Sequence, residues 1–145
     1  MSALADTSLL VRLMERDTPR GEAAEATVTR YTGSDEQLYV CAQVLIEFWV
    51  VATRPRDVNG LGLEVAEAAA ALTDFMAMFS ILPEPPDIAE RWRGLVVAHE
   101  VRGKTAHDAR LVALIEAVGI NTVVTFNERD FRRYAKLVLI DPMAE

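Results

Sequence analysis

The sequence predicts a single α/β domain in which helices flank a small parallel sheet of about four to five strands. Short apolar segments with strand character alternate with longer segments in which apolar residues recur at helical spacing. Glycine and proline clusters separate these segments, and the sequence contains no internal repeat or linker-like run. Strands that alternate with helices are typical of a parallel sheet covered on both faces. Residues 1–145 fit one compact domain.

The first half of the chain is predicted to form two strands and three helices. A weakly apolar strand at residues 2–5 precedes a helix at 7–16, whose leucines fall on one face. A second, more polar helix is expected at 22–31. Residues 38–41 have strand character, and the helix at 44–53 that follows them stops before a proline.

The second half is predicted to contain a helix at 63–79, a strand at 80–82, helices at 88–101 and 107–118, and strands at 121–125 and 137–140. Gly119 stands in the usual position after a helix end. Two of these helices carry broad apolar stripes, and we expect them to supply a homodimer interface; the alternative is that both stripes pack internally. The stripes are Leu72, Phe75, Met76 and Phe79, and Trp92, Leu95, Val96 and His99.

Composition limits the class of protein. The net charge of −7 and the pI near 4.9 argue against a duplex-binding surface, although carboxylates meant for a cation would account for part of the charge. No segment reaches the ~20 apolar residues that span a bilayer, and residues 1–17 do not resemble a secretory signal. Cys41, the only cysteine, is expected to be a small buried apolar residue and suits the reducing cytoplasm.

Acidic residues follow several of the predicted strands. Asp6 comes directly after the first strand, and Glu47 lies in the helix after the second, four residues beyond Gln43. Asp108 begins a helix, and Asp130 follows the strand at 121–125. Because sites in open α/β sheets form beyond the carboxyl ends of the strands, we expect these carboxylates to converge. Oxygen-only clusters of this kind suit Mg²⁺ or Mn²⁺.

Each acid also has a structural interpretation. Asp6 could serve as a helix N-cap, and Asp108 could be an ordinary first-turn acid. Glu47 lies among apolar residues, so its carboxylate requires either a salt bridge or a metal. For the fourth position we favour Asp130 over Asn127, because Asp130 has a formal charge, although it could instead cap a helical turn.

Four segments, taken in order, resemble the motifs of PIN domains. They are Asp-Thr-Ser-Leu-Leu at 6–10, Ile-Glu-Phe-Trp at 46–49, His-Asp-Ala-Arg-Leu at 107–111 and Thr-Phe-Asn-Glu-Arg-Asp-Phe at 125–131. Each motif alone is weak, but the ordered set covers nearly the whole chain. The size and acidity of the chain are similar to those of the VapC-type toxins of bacterial toxin–antitoxin modules.

This resemblance implies a Mg²⁺- or Mn²⁺-dependent endoribonuclease that cleaves single-stranded RNA, forms a homodimer and is silenced by a small cognate antitoxin. Asp6 and Asp108 would bind the metal directly, while Glu47 and the fourth residue would act through water or a second ion. Thr7 and Thr125 would orient these ligands or the scissile phosphate. The chain departs from the family pattern at Ser8, where asparagine is frequent, and at Asn127, where many members carry an acid.

Two other functions remain open. A catalytically degenerate PIN domain would bind RNA or protein without cleaving, and the departures at Ser8 and Asn127 favour it. A phosphatase or phosphotransfer receiver domain would also be α/β and Mg²⁺-dependent. It would need paired aspartates after the first strand, which Asp6-Thr7-Ser8 does not provide.

Overall fold

The structure is a computed structural model that describes residues 2–144. Within those residues the chain forms five strands and six α helices, joined by turns that include four short 3-10 segments. In chain order the elements are β1 (Ala3–Ala5), α1 (Thr7–Leu13), α2 (Pro19–Thr32), β2 (Leu38–Val40), α3 (Ala42–Thr53), α4 (Val65–Met78), β3 (Ser80–Ile81), α5 (Ile88–Ala98), α6 (Ala106–Ala117), β4 (Thr122–Val124) and β5 (Val138–Ile140).

The five strands form one parallel sheet in the order β3-β2-β1-β4-β5, as the alternation of strands and helices predicts. Strand β1 occupies the centre, where Leu4 pairs with Tyr39 on one side and with Val123 on the other. All three residues of β1 are fully buried, as expected for a central strand covered on both faces. The fold therefore brings the carboxyl ends of β1 and β4 together.

Buried leucine, valine and phenylalanine side chains fill the space between sheet and helices. Each such side chain stabilises the fold by about 1.5–3 kcal/mol relative to its exposed state. Phe75 of α4 packs edge-on against Phe48 of α3 with ring centroids 4.9 Å apart, and Phe79 is also buried. The expectation that this stripe offers a free apolar surface is therefore largely wrong. Met76, 53% exposed, is its outward-facing member.

Helix α2 begins at Pro19, three residues before the predicted start. The Thr18 side chain accepts a hydrogen bond from the Gly21 amide at 3.0 Å, and Pro19 needs no amide donor at the first helical position. A Cβ at Gly21 would lie 1.9 Å from the Glu15 carbonyl oxygen, so only glycine allows this close approach. The first turn of α2 is polar, so a prediction based on apolar residues at helical spacing does not detect it.

Cys41 is fully buried at the N-terminus of α3, which confirms its interpretation as a small core residue. Helix α5 ends at Ala98, earlier than predicted, and Glu100 then adopts a left-handed backbone with φ of 49°. No α helix in the described range of 2–144 has both the length and the apolar character needed to cross a bilayer.

Candidate active site

Asp6 and Thr125 stand side by side because each follows the last residue of a neighbouring central strand. The Thr125 hydroxyl donates to Asp6 Oδ2 at 2.8 Å, and the Asp6 amide donates to the Val124 carbonyl oxygen at 3.0 Å. Both residues are buried, at 6% and 0% exposure. Parallel pairing of β1 with β4 thus fixes one carboxylate at the carboxyl edge of the sheet.

Ser8 links the Asp6 loop to the loop after β4. Its hydroxyl donates to Asp6 Oδ2 at 3.2 Å and accepts from the Phe126 amide at 3.0 Å. Serine thus supports the loop at the position where PIN domains often carry asparagine. Asp6 occupies the N-cap position of α1, but its side chain makes no capping hydrogen bond. Burial raises the pKa of Asp6, while hydrogen bonds from Thr125, the Thr7 backbone and Ser8 lower it.

Glu47 of α3 is half-buried and held by two neutral donors. The Thr7 hydroxyl donates to Oε1 at 2.7 Å, and the Gln43 side-chain amide donates to Oε2 at 3.0 Å. No cation of residues 2–144 forms an ion pair with Glu47, so the salt-bridge alternative is wrong for the described chain. The Glu47 carboxylate therefore borders the cleft without a positively charged partner among the described residues.

Asp108 lies in the first turn of α6 and faces the other acids. Its pKa is raised to about 7, first by burial and then by the negative charges of Asp6, Asp130 and Glu47, while Arg133 lowers it. The four carboxyl groups line one cleft and lie near enough to interact, as coupled acids at functional sites often do. The structure therefore brings the acids from four separate segments to one place.

A cleft of about 310 Å³ joins these residues. All predicted site residues except Thr125, which lies buried behind Asp6, line this cleft. Asn127 and Asp130 are both exposed, and within residues 2–144 neither side chain makes a hydrogen bond. Asp130 therefore does not cap the following turn, and its carboxylate is free to bind a ligand. The remaining wall is formed by Val11, Arg12, Val51 and Phe126.

The donor set fits a hard divalent cation. In the described part of the chain, no group of three or more acidic, histidine or cysteine side chains is arranged so that it could hold a metal ion together. Mg²⁺ does not require one, because it retains several waters and is usually held by one or two carboxylates. Burial and then the nearby negative charges raise the pKa of Asp108, and a bound cation would neutralise those charges. Asp6, Glu47, Asp108 and Asp130 are the residues that would hold it.

Gln43 and Arg110 belong to the site but were not predicted as site residues. Gln43 is 8% exposed and bonds both Glu47 and the backbone at the start of α6, while Arg110 donates to Gln43 Oε1 at 2.9 Å. The i, i+4 spacing of Gln43 and Glu47 placed them on one face, and that spacing was the available signal. For Arg110, the sequence offered no signal other than its place in the 107–111 motif.

Neither histidine side chain lines the acidic cleft. His99 is half-buried and packs on Tyr134 with ring centroids 4.8 Å apart. The His107 side chain is exposed, and only its carbonyl oxygen joins the site network.

A larger cavity of about 850 Å³ lies away from the acidic cleft, between α5, α6 and residues 133–137. Ser2 and Asn121, which precede β1 and β4, line it, so it opens at the amino ends of the strands. Among residues 2–144, Glu116 is the one acidic residue that lines it. We place the candidate active site in the smaller cleft, because that cleft lies at the carboxyl edge and gathers the acids.

The PIN domain family model matches residues 3–137, which is most of the chain. The protein therefore belongs to the PIN domain family, in agreement with the motifs, the five-stranded sheet and the acidic cleft. Curated relatives cover nearly the whole chain. This protein is 27% identical over 150 residues to ribonuclease VapC48 of Mycobacterium tuberculosis, and the match covers 99% of both chains. It is also 27% identical over 140 residues to ribonuclease VapC24 of the same organism, and that match covers 95% of this chain and 94% of the relative.

Solved structures share the fold. The VapBC2 complex of Rickettsia felis bound to a promoter DNA fragment has a TM-score of 0.74 at 15% identity, covering 96% of this chain and 97% of that chain. The VapC20 toxin of Mycobacterium tuberculosis, described as cleaving the sarcin-ricin loop, has a TM-score of 0.67 at 18% identity, with coverage of 92% and 95%. FitAB bound to a DNA fragment has a TM-score of 0.68 at 15% identity, covering 99% and 96%.

Proposed function

We propose that this protein is a Mg²⁺- or Mn²⁺-dependent endoribonuclease that cleaves single-stranded RNA and is the toxin of a toxin–antitoxin pair. The observation that carries the proposal is the convergence of Asp6, Glu47, Asp108 and Asp130 on one cleft at the carboxyl edge of the sheet. The ribonuclease names of relatives that match over nearly the full length support the same activity.

In this proposal Asp6 and Asp108 bind the metal directly, and Glu47 and Asp130 hold it through water or place a second ion. Mg²⁺ held by these carboxylates would supply a water of lowered pKa and would neutralise charge on the scissile phosphate. Thr125 and Ser8 orient the Asp6 carboxylate through their hydrogen bonds.

Thr7 and Arg12 have separate roles on the rim of the cleft. Thr7 orients Glu47 through its hydroxyl. Within the described residues Arg12 is the one cation lining the cleft, and we assign it to an RNA phosphate next to the scissile one. Arg12 is bonded to Glu15 at 3.0 Å, an exchangeable surface ion pair that an incoming phosphate can replace.

The proposed partners are RNA, a small cognate antitoxin and a second copy of the chain, in the cytoplasm. The solved structures of similar fold include a toxin–antitoxin complex from Klebsiella pneumoniae, which supports the antitoxin. The half-buried stripe of Trp92, Leu95, Val96 and His99 is the surface that supports the homodimer. Covering a stripe of this kind removes apolar surface from water.

The alternative is a PIN domain that binds RNA without cleaving it. Asn127 favours it, because an amide oxygen replaces a carboxylate at the cleft. Ser8 does not favour this alternative, because its hydroxyl makes the hydrogen bonds that support the loop.

The two functions are separated by incubating the purified protein with single-stranded RNA and Mg²⁺. We expect cleavage that a chelator stops and that Asp6→Asn and Asp108→Asn each abolish, with circular dichroism unchanged. RNA binding with no cleavage at any Mg²⁺ or Mn²⁺ concentration would establish the alternative, and cleavage in the presence of the chelator would refute metal dependence.

A further inference from the structure

The side-chain amide of Gln43 connects two of the acid-bearing segments. Its nitrogen Nε2 donates to Glu47 Oε2 at 3.0 Å and to the His107 carbonyl oxygen at 2.7 Å. Its oxygen Oε1 accepts from Arg110 Nη1 at 2.9 Å. Three hydrogen bonds on one nearly buried amide tie α3, which carries Glu47, to the first turn of α6, which carries Asp108.

The chemistry of these partners leaves the amide a single orientation. Arg110 can only donate, whereas the Glu47 carboxylate and the His107 carbonyl can only accept. The oxygen of Gln43 must therefore face Arg110, and its NH₂ group must face the other two. A rotated amide would break all three bonds at a buried position, which is costly. Gln43 is thus locked by its surroundings, and it locks Glu47 in turn.

The neutral amide also keeps a cation away from Glu47. Arg110 Nη2 also donates to Glu84 Oε1 at 2.6 Å, and neither Arg110 nor Glu84 lines the cleft. Direct contact of Arg110 with Glu47 would neutralise the carboxylate. With Gln43 between them, Glu47 is oriented by a neutral donor, and the Arg110 guanidinium bonds the amide oxygen and not the carboxylate.

We propose that Gln43 is a positioning residue that sets the Glu47 carboxylate relative to Asp108 and thereby determines the divalent-cation affinity of the cleft. The inference rests on the proposed metal-dependent function. Residues that hydrogen-bond metal ligands from behind typically change metal affinity 10–100-fold when they are replaced. Gln43 acts through Glu47, so its contribution should vanish when Glu47 can no longer bind the metal as a carboxylate.

The test is a double-mutant cycle on Mn²⁺ binding, measured by calorimetry without RNA. Gln43→Met removes all three hydrogen bonds at nearly constant volume, and we expect Mn²⁺ to bind about tenfold or more weakly. In the Glu47→Gln background the same substitution should cause no further loss. Thr27→Val, which replaces a buried threonine hydroxyl on α2, is the control and should leave Mn²⁺ affinity unchanged.

Melting curves verify that each variant is folded. If Gln43→Met does not fold, Gln43→Asn, which keeps the amide but shortens the side chain, must show the same loss and the same dependence on Glu47. Unchanged Mn²⁺ affinity in the position 43 variant, or an equal loss in the Glu47→Gln background, would overturn the role of Gln43 alone. A wild-type protein that binds no Mn²⁺ would overturn this role together with the proposed function.

Discussion

The Thr125 hydroxyl donates to Asp6 Oδ2 at 2.8 Å across the junction of β1 and β4, although 119 positions separate the two residues. The same hydroxyl oxygen accepts from the Asn127 amide at 2.9 Å. One buried threonine thus holds the Asp6 carboxylate and also begins the loop that carries the fourth acidic motif. Parallel strand pairing, rather than sequence proximity, builds this part of the site.

We predict that Thr125→Val weakens both the fold and the metal site. A buried carboxylate that loses a hydrogen-bond donor costs about 1–3 kcal/mol, so the free energy of unfolding should fall by that amount in urea titrations. Mn²⁺ affinity should fall about tenfold. Thr29→Val, at an exposed threonine of α2, is the control and should change neither quantity appreciably. Wild-type values of both quantities in Thr125→Val would contradict the role of this hydrogen bond.

The raised pKa of Asp108 leads us to predict how the stability of the metal-free protein depends on pH. Its pKa in the fold is about 7, against an ordinary value of 3.8, so the folded state binds the extra proton between these pH values. Its contribution to stability is therefore full below about pH 4 and is lost as the pH rises through 7. The difference in unfolding free energy between wild type and Asp108→Asn, measured by urea titration from pH 4 to 8, should turn progressively against the wild type.

Mg²⁺ provides the control for this pH dependence. A bound cation favours the charged carboxylate, so saturating Mg²⁺ should reduce the loss of stability at high pH in the wild type and less so in Asp108→Asn. A wild-type curve parallel to that of Asp108→Asn in metal-free buffer would contradict the raised pKa of Asp108.

We predict that Asp130 contributes more than Asn127 as the fourth site residue. Both line the cleft, but Asp130 supplies a formal charge and lies near enough to Asp108 to raise its pKa. Asp130→Asn should raise the Mg²⁺ concentration needed for half-maximal RNA cleavage, and Asn127→Ala should raise it less. A larger effect of Asn127→Ala at equal stability would reverse the assignment. Asn127→Asp would then reveal whether that position faces the ion, through a gain in metal affinity.

Much of the fold was predictable because strand and helix periodicities are strong here. The buried strand at 121–125 and the helix at 107–118 appear in the structure with shifts of one residue or so. The start of α2 could not be predicted in this way. Thr18 and Gly21 define it through a helix cap and a close backbone contact rather than through an apolar pattern.

The part of the candidate site that could be predicted is the set of acids whose position after a strand places them at the carboxyl edge of the sheet. Asp6 and Glu47 follow strand ends, and strand order then brings them together. Gln43 was visible as a neighbour of Glu47, but its contact with the His107 carbonyl depends on how α3 approaches α6. The internal packing of Phe75 and Phe79 was likewise unpredictable, since a helix stripe does not reveal whether its partner lies in the same chain.

We expect a homodimer in solution. Light scattering at micromolar concentration should give about twice the chain mass of 16.0 kDa. With Phe75 and Phe79 packed internally, the stripe of Trp92, Leu95, Val96 and His99 remains as the expected contact surface. A monomer across this concentration range would contradict the dimer, but it would leave the acidic cleft and its chemistry unaffected.

The most direct test of the central claim is a crystal structure of the protein soaked with Mn²⁺, with anomalous data collected to locate the ion. We predict an anomalous peak in the cleft at coordination distance from Asp6 and Asp108, with Glu47 bound directly or through water. The peak should be absent in crystals of Asp6→Asn. Well-ordered crystals whose cleft shows no anomalous signal at millimolar Mn²⁺, or a peak confined to sites away from these carboxylates, would contradict the account.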